Sequence, residues 1–192
     1  LDESDEVNGV LFLLNTVGGD VEAGLAIAEL IAGMTKPTVS IVLGGSHSIG
    51  VPLAVAARRS FAIPSAAMPI PPSATMVIHP VRMSGTVIAA PQTYNYFQRL
   101  QDRIVAFVSS HSQITAQKFQ ALMLKKDDMA ADVGSVVYGE EAVSLGIMAV
   151  TAAVFVIMFV FYVRFSPKTA LVILLTPLAF LFHIPYVIPV AF

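Results

Sequence analysis

Apolar and polar positions divide this chain into short uninterrupted apolar runs, amphipathic stretches and two long uncharged runs at the end. The first run, Val10 to Leu14, is continuously apolar, the character of a strand covered on both faces of a parallel sheet. After Asn15-Thr16-Val17-Gly18-Gly19-Asp20 the spacing of Leu25, Ala28, Ile31 and Ala32 predicts a helix over Val21 to Met34, with Pro37 closing the unit. Pro37 to Leu43 repeats the pattern as a β-rich run. It enters the turn Gly44-Gly45-Ser46-His47-Ser48-Ile49-Gly50 and leaves as a small-residue helix from Ile49 to Ala57. Successive β-α units connect right-handedly into a parallel sheet, so the expected class is α/β. Further strands are expected at Ser60–Ile63 and at Thr75–Ile78, which runs into His79.

From Pro91 the pattern turns helical. Thr93 to Ser110 carries Tyr96, Phe97, Leu100, Ile104, Phe107 and Val108 as a stripe that faces either its own core or a second copy of the chain. Thr115 is the N-cap of a further helix running to Lys126. Asp132 to Tyr138 reads as a loop with a short strand, and Glu140 to Leu145 as a helix stopped by Gly146.

One segment is duplicated. Pro64-Ser65-Ala66-Ala67-Met68-Pro69-Ile70 returns eight positions later as Pro72-Ser73-Ala74-Thr75-Met76-Val77-Ile78, with five of seven positions identical. Only one copy can be the strand that leads to His79. Pro69 would remove a ladder donor, which favours the second copy and leaves the first as a loop.

Charge divides the chain in two. All 13 acidic residues and 9 of the 11 basic ones precede Ala142, and beyond it only Arg164 and Lys168 are charged. The hydrophobic fraction of 56% is above the roughly 45–50% of a soluble domain. A folded domain over residues 1–148 and a hydrophobic α-helical tail over 149–192 are therefore expected. Ile147 to Val163 is 17 residues without charge, the short end of a membrane span, and Thr169 to Phe192 is 24. Pro177, Pro185 and Pro189 would kink the second span. A hairpin carrying Arg164 and Lys168 would lie in the cytoplasm, with the folded domain opposite. A net charge of −2 gives no reason to expect nucleic acid as a partner. The absence of cysteine excludes disulfides, a thiol nucleophile and thiolate metal sites, and no cofactor or metal is expected. Leu1 opens on an acidic segment without an initiator Met, as a fragment would.

The chemistry centres on Ser48. A serine at a sharp strand-to-helix turn exposes its hydroxyl beside amides that have no intrahelical partner and can bind a developing oxyanion. The same pattern also makes a plain capping turn. Of the other histidines, His47 reads as structural or substrate-lining and His111 as a helix C-terminal cap, while His183 lies in the apolar tail.

Asn15-Thr16-Val17-Gly18-Gly19, Gly44 to Gly50, Met76-Val77-Ile78-His79-Pro80 and Glu141-Ala142-Val143-Ser144-Leu145-Gly146 resemble, in order, the landmarks of the Clp protease proteolytic subunit. That is a family of serine peptidases, and the likeness extends to its translocation-enhancing group, over about Asn8 to Met148. The resemblance implies a ClpP/crotonase-like spiral of repeated β-α units, polypeptide substrates, a homo-oligomer through the 93–110 helix and a cytoplasmic catalytic domain. Ser48 then matches the nucleophile, His79 the general base, Asp132 the residue that orients the histidine, and the amides of Gly19 and Ile49 the oxyanion hole. From Met148 the likeness ends, because the family continues into a last strand, a turn and a closing helix. Two functions follow. One is a serine endopeptidase tethered to a membrane through 147–192. The other is a catalytically silent, membrane-associated scaffold, if the duplication carries His79 away from Ser48. Acyl-CoA chemistry is a third, without a CoA motif or the acidic catalytic residues it would need.

Overall fold

The computed structural model describes residues 1–62, 74–129 and 132–150, with the backbone alone at 127–129, 132 and 150. Two β-α units open it. Strand β1 (Val10–Thr16) leads to helix α1 (Val21–Ala32), whose N-cap Asp20 accepts a hydrogen bond from Ala23 N at 2.8 Å and whose Leu25, Ala28 and Ile31 are buried. Strand β2 (Thr38–Ser46) leads to the short helix α2 (Gly50–Val55). β2 pairs in parallel with β1, with β3 (Arg59–Ala62) and, through Gly45, with Thr75 of β4 (Thr75–Ile78). β4 thus comes from the second copy of the duplicated segment, while the first copy, 64–70, lies outside the described residues.

β1 departs from expectation. Its burial alternates along the strand, and Leu11 and Leu13 are 53% and 50% exposed. Among the described residues β1 pairs with β2 alone, so it is a margin of the sheet with one covered face. Phe12 on that face packs against the cluster of Ala28, Ile31, Ala56 and Ala57.

Helix α3 (Ala90–His111) starts earlier than the stripe suggests, with Pro91 in the first turn, where a missing N–H costs nothing. Leu100, Ile104, Val105 and Val108 are buried, whereas Tyr94 and Tyr96 are 69% and 47% exposed. The stripe is core along its second half only. Helix α4 (Ala116–Met123), with Thr115 Oγ1 accepting from Lys118 N at 3.3 Å, stops before Lys126. At Lys126 the chain instead turns into β5 (Lys126–Met129), which forms a hairpin with β6 (Asp132–Val133) in a separate small sheet. Strand β7 (Ser135–Tyr138) pairs antiparallel with β4, so the main sheet is mixed rather than wholly parallel. After helix α5 (Gly139–Ser144), Gly146 takes φ 77° and β8 (Ala149–Val150) adds in parallel to β3. The strand order is β7-β4-β2-β3-β8.

β8 corrects the reading of the tail. Ile147 and Met148 are buried in the core, and Ala149 and Val150 pair with Phe61 and Ala62, so these residues belong to the compact unit Leu1–Thr151 and not to a membrane span. A short apolar run has the same hydropathy whether it fills a core or enters a bilayer, which is why the sequence pattern misled here. The tail helices expected from the sequence, and His183, fall on residues 152–192, which lie outside the described residues. Among the described residues no helix is long and apolar enough to cross a membrane.

Candidate active site

β2 ends at Ser46 and α2 begins at Gly50, so His47-Ser48-Ile49 alone must reverse the chain. The reversal requires a left-handed residue, and Ser48 takes that conformation with φ 57°. Such a backbone costs a non-glycine residue about 1–3 kcal/mol and persists only where its surroundings enforce it. Here they do. Ser48 N donates to Val77 O on β4 at 2.8 Å, His47 N to Thr16 O at 3.1 Å, and Val51 N to Ser48 O at 3.0 Å. Ser46, the neighbouring serine, is fully buried and donates its hydroxyl to Gly50 O at 2.7 Å, so it is structural.

The upstream glycine turn packs directly on this one. Gly18 has φ 95°, and a Cβ added to it would stand 2.8 Å from both Ser48 Cβ and His47 O. Only glycine satisfies both the conformation and the space, so the close approach of the two turns is written into that residue.

Gly19, Ser48, Ile49 and His79 line one cavity of about 190 Å³, walled by Val51, Ile104, Phe119 and Met123. The N–H groups of Gly19 and Ile49, two residues of its lining, make no hydrogen bond within the described residues. His79 leaves the end of β4 half-buried, and its Nδ1 donates to Pro80 O at 2.7 Å. A carbonyl can only accept, so Nδ1 carries a proton, and in the neutral ring Nε2 keeps its lone pair. No hydrogen bond joins Ser48 Oγ to His79 among the described residues. Asp132 is placed by its backbone alone, opposite Met129 in the β5–β6 hairpin. One tie between this hairpin and the histidine segment is made by Arg82, whose Nη2 donates to Val133 O at 3.1 Å. Among the described residues no cluster of three acidic or histidine side chains is spaced to hold a metal ion.

Sequence reasoning missed three contacts of this site: the carbonyls of Pro80 and Val77, and the partner of His47. His47 Nε2 is 3.0 Å from Thr75 Oγ1 on β4, and the residue does not line the cavity. It is structural. His111 Nδ1 bonds Phe107 O at 2.8 Å in the last turn of α3, as a helix-end histidine should. Burial pushes the His47 imidazole below its ordinary value of 6.5. The unfolded chain then binds that proton at a higher pH than the folded one, so stability is full above about pH 6.5 and falls as pH drops toward the depressed folded value. The midpoint of thermal unfolding is expected to fall between pH 7 and 5.5, and His47→Gln to flatten that part of the profile.

A mixed sheet begun by β-α repeats, with a serine held left-handed where a central strand meets a helix, is the ClpP-like fold. Residues 1–158 match the family described as Clp protease. The chain is also 52% identical over 147 residues to the translocation-enhancing protein TepA of Halalkalibacterium halodurans, which covers 77% of this chain and 54% of that protein. The chain belongs to the Clp protease family, and it spans about half the length of that curated relative.

Proposed function

We propose that this chain is a serine peptidase. Ser48 Oγ attacks the scissile carbonyl while His79 Nε2 takes its proton, and the amides of Gly19 and Ile49 receive the oxyanion. His79 then returns the proton to the leaving amine, and water releases the acyl group by the same steps in reverse order. Pro80 O holds the imidazole in the tautomer this needs, and Asp132 is the residue that would stabilise the imidazolium. The observation that carries the reading is the meeting of an unpaired amide pair, a strained serine and a histidine in one cavity. The cavity's apolar walls fit an apolar side chain of a polypeptide. Covalent capture tests it: a fluorophosphonate should label the chain at Ser48. The missing hydrogen bond between Ser48 and His79 favours a second reading, a silent scaffold, and that reading would be left standing if labelling failed.

The duplicated segment gives a further expectation. Ser48 and His79 are 31 residues apart, and deleting Pro64–Pro71 makes the interval 23 without touching β4. Loop closure changes only logarithmically with length, so kcat/KM should stay within about tenfold, or about 1.4 kcal/mol. A much larger gain would mean that the full chain holds His79 out of place.

For the tail we place a membrane tether in Thr169–Phe192 alone. With Ile147–Val150 in the core and β8, the first uncharged run shrinks to Thr151–Val163, which at 13 residues is below the roughly 17–25 a spanning helix requires. One span puts Arg164 and Lys168 on the same side as the catalytic domain, which is then cytoplasmic. The intact chain is expected to stay in the pellet after alkaline carbonate extraction, and its release would end the tether. Assembly with like chains would use the exposed first half of α3, at Tyr94 and Tyr96.

A further inference from the structure

The two copies of the duplicated segment pose a choice that core packing cannot make. Ala74, just before β4, and Met76 and Ile78 within it enter the core, each 2% exposed, and Ala66, Met68 and Ile70 of the first copy are identical to them. The copies differ only at Ala67 against Thr75 and Pro69 against Val77. Both differing positions of β4 touch the serine turn. Val77 O accepts from Ser48 N at 2.8 Å, and Thr75 Oγ1 is hydrogen-bonded to His47 Nε2 at 3.0 Å. Gly45, the β2 partner of Thr75, makes the room for this contact, because a Cβ there would stand 2.7 Å from His47 Nε2.

We propose that the His47–Thr75 hydrogen bond is a register lock that admits the second copy as β4 and so sets His79 beside Ser48. Alanine at position 67 has no hydroxyl and would leave the half-buried imidazole of His47 without its partner. Proline at position 69 would remove a backbone donor from a strand flanked by β2 on one side and β7 on the other. Thr75 is therefore a positioning residue: it touches neither substrate nor reacting atoms, yet it decides which residue follows β4. With the first copy in its place the strand would run into Pro71-Pro72, and His79 would lie eight residues further along the chain.

The lock can be read without catalysis, which matters because its consequence for the reaction rests on the proposed peptidase function. The chain has no cysteine, and Val77 and Val136 stand directly opposite each other on β4 and β7. Val77→Cys with Val136→Cys therefore reports the register as disulfide yield on mild oxidation. Adding Thr75→Val to the full chain should lower the ratio of cross-linked to uncross-linked chain roughly fivefold, the worth of one ordinary hydrogen bond, although valine is the better strand former. Thr75→Ser should keep the yield. In a chain lacking 64–71, where no competing copy remains, Thr75→Val should keep it as well. Aggregation of the full-length valine variant while the deleted form cross-links counts for the lock. An unchanged yield in the full chain overturns it, as does an equal loss, or failure to fold, in both backgrounds. If no form hydrolyses peptide, the peptidase reading fails while the disulfide pattern still decides the lock.

Discussion

Ser48→Ala is expected to abolish fluorophosphonate labelling and to lower peptide hydrolysis by roughly four to six orders of magnitude, the usual outcome when a triad nucleophile is removed. Ser46→Ala should label as the parent does. The two serines stand two positions apart in one turn, and their surroundings separate them completely. Ser48 lines the cavity with a left-handed backbone, while Ser46 is fully buried with its hydroxyl given to Gly50 O. Losing that buried hydrogen bond costs about 1–3 kcal/mol of stability, visible in the unfolding midpoint rather than in the chemistry. Labelling that survives in Ser48→Ala and vanishes in Ser46→Ala would place the nucleophile wrongly and undo the site.

Gly18→Ala should be nearly as damaging from outside the reacting groups. The new methyl would meet His47 O and Ser48 Cβ at 2.8 Å, and both belong to a turn tied by hydrogen bonds to Thr16 and Val77. Neither can retreat as a flexible side chain would. The φ of 95° adds strain of about 1–2 kcal/mol for any residue with a Cβ. The serine must therefore move, and a misplacement approaching an ångström costs on the order of a hundredfold in rate. Gly85→Ala is the control. Gly85 has φ 135° and nothing within 4 Å of an added Cβ, so it should pay strain without losing activity. If kcat/KM of Gly18→Ala stays within about tenfold of the parent, packing of the two glycine turns is not what positions the serine.

The β-α units were legible because their signals are local: Asp20 caps α1, Leu25, Ala28 and Ile31 repeat at helical spacing, and Gly146 stops α5. The ordered landmarks pointed to Gly19, Ser48, Ile49, His79 and Asp132; the first four line one cavity although they come from three different turns, and Asp132 is placed by its backbone in the β5–β6 hairpin. What failed was set by neighbours distant in sequence. Nothing in Ile147–Val150 distinguishes a core strand from the start of a membrane helix until Phe61 and Ala62 lie beside it. Lys126 carries no sign that the helix has ended, because the hairpin with β6 decides its state. The half-exposed Leu11 and Leu13 follow from β1 having a single neighbour, which residue type alone does not encode. The partner of His79 Nδ1 was hidden for another reason: it is a backbone carbonyl, and carbonyls leave no mark in a sequence.

β4 is completed only by partners remote from it in sequence. The strand is held by Gly45 on one side and by residues 135–138 on the other, so its partners are drawn from the first third and the last third of the described chain. Contacts between remote segments form only after the loop between them has closed, whereas α1 and α3 need no such closure. His79 follows β4, so its place in the cavity depends on both of these long-range pairings. A chain with its helices formed and its sheet unfinished would therefore lack the part of the cavity lining that His79 supplies.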